Sequence, residues 1–538
     1  MIRRPSAEGA LTACLLLLLG AGIVYPLLEI LRAAVVADGR PTAAPLLAVF
    51  ERPPFREALV NTLVAGVLVA ALGSVIAVPL ALLTARYRFP GRRTATALGL
   101  LPLVIPPFVG AIAFRQMLGP IVEGFRGVVL VQACHYFPFI WLNTTMALST
   151  LNPSLEEAAE NLGSSGFRLF RRVLLPLTLP GYAVGVLLTF IRAVDDLGTP
   201  LMLGYTDLLA PQAFVRVTTA GLGDAEGYVI CIVLMALSLC ALWISRGLLG
   251  RGEFTSLGMS GDAPPRALGG GGRLAAWALV VVLLGPALLP QTGIALLSVA
   301  KEWSLSPLPS AYTLSNFDEI LLRAPRFIWN TLRYAVLATA VDMGLGAVLA
   351  WLILRGRTRG RQWLDALATM PLALPGVVLA IGYLRAFHGW TVPGMGAPLT
   401  ATWLVLAVVY AVRRLPYTVR GACAGLEAHP VALEEAAQGL GARRARAFVK
   451  VTLPLMARGL LAGGALAFVI SAVDFSSTIL LVPRAELAPL SYGVYFSMQS
   501  AAERGPGAAL GVLAIALVAA GAWAATRLAR RGAGPSRV

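Results

Sequence analysis

Two stretches of this sequence carry the same polar residues at the same spacing. Residues 155–176 read LEEAAENLGSSGFRLFRRVLLP, and residues 433–454 read LEEAAQGLGARRARAFVKVTLP. The shared positions are Glu157, Ala158, Ala159, Gly163, Leu175 and Pro176 in the first copy, and Glu435, Ala436, Ala437, Gly441, Leu453 and Pro454 in the second. The chemistry this offers is recognition. Leu155, Ala158, Ala159 and Leu162 fall at i, i+3, i+4 and i+7 of a helix and make one apolar stripe, repeated by Leu433, Ala436, Ala437 and Leu440. The small alanines let another surface approach the backbone closely. The glutamates beside them, Glu156 and Glu157, then Glu434 and Glu435, can pair with basic or amide groups of a partner. Ser154-x-x-Glu157 fits a capping box that would start the first helix, whereas the second copy has Ala432 at the Ser154 position. Gly163 and Gly441 suit the left-handed residue that ends a helix. A second short helix with Arg168, Arg171 and Arg172 is expected next, before Leu-Pro re-enters an apolar stretch. A docking surface used twice implies a partner present in two copies.

Other chemistry is hard to find. The three histidines, His135, His388 and His429, are isolated, and the five cysteines show neither C-x-x-C nor Cys/His ligand spacing. There is no nucleophile elbow and no H-E-x-x-H. Neither a catalytic residue, a metal site nor a bound cofactor is expected. The remaining candidates are ionisable residues inside apolar stretches: Arg192, Asp195, Asp196, Asp342 and Asp474. Such groups are costly in a bilayer unless they are paired or face a cavity. Asp196 lies as far after Pro176 as Asp474 lies after Pro454. This makes the two acids candidates for lining a translocation path. The competing expectation is local pairing of Arg192 with Asp195 or Asp196 at i+3 or i+4. Asp342 matches Gly73, so the repeat lends it no support.

The elements that position these residues follow from composition. The chain has 538 residues, 57% hydrophobic and 13% charged, with a mean hydropathy of +0.76. That is too little charge for a soluble surface of this size. Continuous apolar runs fall near 11–34, 60–84, 95–118, 127–149, 177–200 and 227–249, then near 274–300, 329–354, 363–386, 398–420, 456–482 and 506–528. Each is close to the about 20 residues that cross a bilayer as a helix. Continuous rather than alternating runs exclude a barrel. The first run, after Met1-Ile2-Arg3-Arg4, is too long for a signal-peptide core and is expected to stay as an anchor helix. The fold class is therefore an all-α integral membrane protein of about twelve helices in two homologous six-helix halves. Asn61-Thr62-Leu63 and Asn330-Thr331-Leu332, Pro102 with Pro106 and Pro371 with Pro375, and Pro138 and Pro416 recur at matched positions. An even number of helices per half relates the halves by an axis along the membrane normal, not as inverted repeats.

The formal charge of +17 comes from arginines placed between helices. Arg86, Arg88, Arg92 and Arg93, Arg168, Arg171 and Arg172, Arg246, Arg251, Arg266 and Arg273, and Arg355, Arg357, Arg359 and Arg361 all fall on one side, with Arg527, Arg530, Arg531 and Arg537 at the end. The opposite loops are richer in acids. By the positive-inside rule both termini and both Glu-Ala-Ala loops are cytoplasmic. The segments near 35–58 and 301–326 are then periplasmic. The excess charge reflects topology and contact with anionic lipid, and no nucleic-acid partner is expected.

These features resemble the permease subunits of binding-protein-dependent ABC importers, whose cytoplasmic signature is EAA, three residues, G, nine residues, then I-x-L-P. Both copies match, with Val173 and Val451 in place of Ile. The resemblance covers nearly the whole chain and implies the fold of a type I ABC importer permease. It implies that the two loops are coupling helices that dock on two copies of a separate ABC ATPase, which carries ATP and Mg. The chain itself has no G-x-x-x-x-G-K-S/T, and its only lysines are Lys301 and Lys450. A periplasmic or lipid-anchored solute-binding protein is the second implied partner, and the bacterial inner membrane is the implied location. Two EAA loops in one chain resemble the fused ferric iron permeases, to which FIRAVDDLGTPLMLG at 190–204 is also similar. Ferric iron is the solute expected first, with thiamine, 2-aminoethylphosphonate or a polyamine as alternatives. An ion-coupled secondary transporter is a more distant alternative, as it would have no docking loops. The expected division is 1–54 as anchor helix and periplasmic loop, 55–249 as first permease domain, 250–273 as flexible linker, 274–326 as seventh helix and periplasmic loop, 327–530 as second permease domain, and 531–538 as tail.

Overall fold

The computed structural model describes residues 7–37, 40–250, 266–303, 306, 308–323, 325–500 and 504–531. The middle of the expected linker and nearly all of the expected tail lie outside the described residues. Among the described residues nine helices are long and apolar enough to cross a membrane: Glu8–Val35, Pro53–Arg86, Gly124–Ser149, Gly166–Asp195, Ala225–Ser245, Gly270–Ser298, Pro325–Arg355, Arg444–Ala472 and Arg504–Gly521. Leu404–Glu427, which carries Arg413, Arg414 and Arg420, occupies the place of the tenth expected span.

The third and ninth spans depart from expectation. They are not single helices over 95–118 and 363–386. Each is two helices meeting at a sharp bend: Arg92–Leu103 with Pro107–Val122 at 102°, and Arg361–Ala373 with Gly376–Phe387 at 112°. The cause is proline, which lacks an N–H and forces the preceding residue out of the helical region. Ile105 (φ −102°, ψ 131°) precedes Pro106, and Leu374 (φ −89°, ψ 122°) precedes Pro375. The fifth and eleventh spans stop sooner than expected, at Asp195 and Ala472, and the short helices Gly198–Met202 and Thr478–Leu481 follow.

The short helix expected after each docking loop is not separate. It runs straight into the next span through one π turn, Phe170–Leu174 or Phe448–Thr452. Pro176 and Pro454, just beyond, have no N–H to give the carbonyls four residues earlier, and the wider turn absorbs that defect. The C-terminal part of the linker is ordered: Tyr87–Arg88 and Arg266–Ala267 pair as short parallel strands, and a helix begins at Gly270.

The halves exchange their leading helices. The first helix buries Leu15, Leu19, Ile23, Leu27 and Ile30 in a core shared with Leu364, Leu374, Val377 and Ile381 of the second half, and Tyr383 Oη donates to the Gly22 carbonyl at 2.8 Å. The Gly270–Ser298 helix buries Ala276, Val280, Leu284 and Ala287 against Ala77, Leu80, Phe137 and Trp141 of the first half. Each six-helix repeat is thus completed by the other.

Inside each half a small-x-x-x-small pair sets the closest helix crossing. A Cβ on Gly459 or Gly463 would run into the carbonyl oxygens of Gly421 and Tyr417. At the matched positions of the first half, a Cβ on Gly181 or Gly185 would lie 2.6 Å from Ala147 Cβ and 2.7 Å from Ile140 Cα. With lipid as apolar as the side chains, such close packing is what drives helices together. Gly459→Val is therefore expected to destabilise the folded chain by at least about 1–3 kcal/mol, because backbone cannot move aside as a side chain can. The expected outcome is a lowered midpoint of thermal unfolding in detergent, with Gly285→Val, where a Cβ meets nothing within 4 Å, near wild type.

Candidate functional site

The first Glu-Ala-Ala helix, expected to dock a partner, spans Pro153–Asn161 and the second Ala432–Gly439. The expected capping box on Ser154 is absent. Pro153 takes the first helical position, so the cap falls to Asn152, whose Oδ1 accepts from the Ser154 amide at 3.0 Å. The second helix has no side-chain cap. Both helices end in the same way. Gly163 (φ 82°) and Gly441 (φ 90°) are left-handed. Their amides donate to Glu160 and Gln438, and the next amides, of Ser164 and Ala442, donate to Ala159 and Ala437. These are the paired bonds of a Schellman motif. The helices end beneath exposed leucines, Leu162 at 88% and Leu440 at 91% exposure, with Leu155 and Leu433 also exposed. Glu157, Ala158, Glu435 and Ala436 are exposed beside them.

The first glutamate of each pair behaves otherwise. Glu156 and Glu434 were expected to face a partner, yet both are buried, at 8% and 7% exposure. Glu156 pairs with Arg86 at the end of Pro53–Arg86. Glu434 lies 3.7 Å from Arg355 at the end of Pro325–Arg355 and accepts from Trp351 Nε1 at 3.3 Å. The two arginines occupy matched positions in the halves. They strap each docking helix to the second span of its own half. The exchanged leading segments add exposed clasps: Arg266 Nη1 donates to Glu160 at 2.8 Å, and Arg444 Nη1 to Glu8 at 2.6 Å.

Deeper in the molecule a cavity of about 400 Å³ lies between the halves, with Arg192, Asp195, Asp196, Arg413, Arg414, Tyr417 and Asp474 in its wall. Both Asp196 and Asp474 reach it. The expected local pairing of Arg192 with Asp195 or Asp196 does not occur. Arg192 Nη2 instead donates to Tyr417 Oη at 3.2 Å across the interface. Arg413 Nη1 spans both oxygens of Asp474 at 2.7 and 2.9 Å, while its Nη2 lies 3.5 Å from Asp195 of the first half. Arg414 Nη2 is 3.4 Å from Asp474. Asp195 also caps the bent ninth span, accepting from the Gly376 amide at 2.6 Å. A Cβ on Gly376 would lie 2.5 Å from Arg413 Nη1, so only glycine admits the guanidinium there. Asp196 accepts from the Thr199 amide and from Gln132 Nε2, both at 3.1 Å.

One wall of the cavity is aromatic. Phe108, just past the bend of the third span, and Phe475 meet with ring centroids 4.4 Å apart and planes tilted by 31°, with Gly198 packed against both. Asp342 lies elsewhere, in the wall of a larger, mainly apolar cavity of about 1200 Å³ between the first helix and the second half. It is fully buried, and neither carboxylate oxygen has a hydrogen-bond partner among the described residues.

The description "binding-protein-dependent transport system inner membrane component" fits residues 77–248 and again 343–533. The chain is similar to a putative ferric transport system permease protein of Haemophilus influenzae, 27% identical over 87% of this chain and 77% of that protein. It is similar to a ferric transport system permease protein of Actinobacillus pleuropneumoniae, 25% identical over 88% of this chain and 71% of that protein. A molybdenum transport system permease protein of Escherichia coli matches a single stretch, 33% identical over 31% of this chain and 81% of its own length. Two Glu-Ala-Ala loops, two bent spans and a shared polar cavity thus accompany a domain that occurs twice: the chain belongs to the family of inner membrane components of binding-protein-dependent transport systems.

Proposed function

We propose that this chain alone supplies both permease domains of an ATP-driven importer, that two ATPase subunits dock on Pro153–Asn161 and Ala432–Gly439, and that its cargo is ferric iron delivered by a binding protein. The observation that carries the docking reading is the matched pair of helices, each strapped inward by Glu156 or Glu434 and presenting an exposed Leu-Ala face. Rigid anchoring under a bare apolar stripe is how a surface transmits force to a transmembrane helix. Glu157 and Glu435 are the glutamates left facing a partner. The iron reading draws on the ferric transport permeases that align with most of the chain. The polar cavity between the halves is read as the path, with Asp196 and Asp474 in its wall. The docking helices, the two clasps and the paired strands lie together at one end, which the arginine distribution assigns to the cytoplasm with both termini.

Two outcomes test this. Glu157→Lys combined with Glu435→Lys is expected to lower ATPase co-purification at least about tenfold, since opposed like charges at an interface cost several kcal/mol. The variant should stay in the membrane, and ATPase recovery at the wild-type level would remove the docking assignment. Cysteine at 196 or 474, in a chain freed of its five native cysteines, is expected to react with small polar thiol reagents and to change its reaction rate when ATP is added to the assembled transporter. No reaction in any state would remove the path assignment.

A further inference from the structure

We infer that cargo passes the cavity between the halves as an anionic species, iron included only when wrapped in its own anionic ligands, and that Arg192 contacts an outer oxygen of that shell. This rests on reading the cavity as the path.

Two of the three carboxylates in the wall, Asp474 and Asp195, are committed to Arg413. Asp474 takes two contacts from Arg413 Nη1 at 2.7 and 2.9 Å, one from Ser477 Oγ, and faces Arg414 at 3.4 Å. Asp195 holds the Gly376 amide at 2.6 Å and faces Arg413 at 3.5 Å. Asp196 holds the Thr199 amide and Gln132 at 3.1 Å each. A bare metal ion taken by Asp474 or Asp195 would have to strip these donors and leave Arg413 buried without its counter-charge, which the low-dielectric surroundings penalise heavily, and Asp196 by itself is a single ligand. Among the described residues no three His, Cys, Asp or Glu side chains gather as a metal cage.

The donors are in surplus instead. A guanidinium offers five N–H groups, and the one hydrogen bond seen from Arg192 goes to Tyr417 Oη at 3.2 Å. Tyr417 accepts there, so its own O–H is left to give. The Nε of Arg414 has no hydrogen-bond partner among the described residues. Arg192 and Tyr417 are only partly buried and line the cavity from opposite halves. A planar donor fork beside a hydroxyl suits carboxylate, phosphate or another oxyanion.

The test uses the full chain assembled with its ATPase in lipid nanodiscs and two probes: radiolabelled ferric citrate as an anionic chelate, and lanthanum(III) as a bare trivalent ion. The wild type is expected to bind the chelate and not lanthanum. Arg192→Ala should weaken chelate binding at least about tenfold, Arg192→Lys, which keeps the charge without the planar fork, should weaken it less, and Gly285→Val, outside the cavity, should change it little. Lanthanum binding that Asp196→Asn abolishes, chelate binding unchanged in Arg192→Ala, or no chelate binding by the wild type would each overturn the inference. If Arg192→Ala fails to assemble, the lanthanum comparison on the wild type and the lysine variant still decide. Failure of the path reading shows separately, as unreactive cysteines at 196 and 474. Reactive cysteines with an indifferent Arg192 would sink this inference alone.

Discussion

Arg413 is the constraint around which the rest is arranged. A guanidinium in the middle of a membrane protein must keep its counter-ions, and Arg413 has them from both halves: Asp474 from its own and Asp195 from the other. The bend at Pro375 brings the Gly376 amide to Asp195, and the missing side chain at Gly376 makes room for the guanidinium. A buried ion pair of this kind is weak as a source of stability, because desolvation offsets most of the attraction. Its effect is on specificity. The halves can pack in few registers that leave neither charge bare. Polar contacts therefore locate the interface, while the apolar cores around it supply the burial.

The docking end is built on the opposite logic. There the two clasps are near water and individually worth little, while Glu156 and Glu434 are buried with their arginines. What matters is how each Glu-Ala-Ala segment is tied: its buried glutamate to the second span, and a clasp from the exchanged leading segment, to Glu160 in the first helix and to Arg444 just past the second. Beyond the left-handed glycine, the next short helix runs through a π turn into the following span. The π turn, stretched by the proline beyond it, is the softest point of that connection.

Much of this was legible in the sequence, and the losses have physical causes. The repeat, the two docking helices, their left-handed glycines and the membrane class all follow from local pattern. The bends at Pro106 and Pro375 were signalled by the prolines but hidden by apolar runs long enough to read as straight spans. The cap moved from Ser154 to Asn152 because Pro153 claims the first helical position. Glu156 and Glu434 were assigned outward, since nothing local tells two adjacent glutamates apart. Arg86 and Arg355, at matched places, were the available sign of their partners. Arg413 and Arg414 were the largest omission. An arginine pair stands inside an apolar run, and a buried Asp474 needs such a cation, but nothing local says that the two elements meet. The exchange of leading helices is long-range packing, which no local pattern carries.

That exchange also bears on how the chain is made. The first helix leaves the ribosome early, yet it packs both on the sixth span of its own half and on Gly376–Phe387, which is synthesised far later. Until then part of its packing face stays open to lipid. The seventh helix likewise packs both on spans already inserted and on the last span, Arg504–Gly521. Closure of the fold is thus deferred to the second half of translation, and joining both halves in one polypeptide keeps the waiting helix tethered to the surface it will meet.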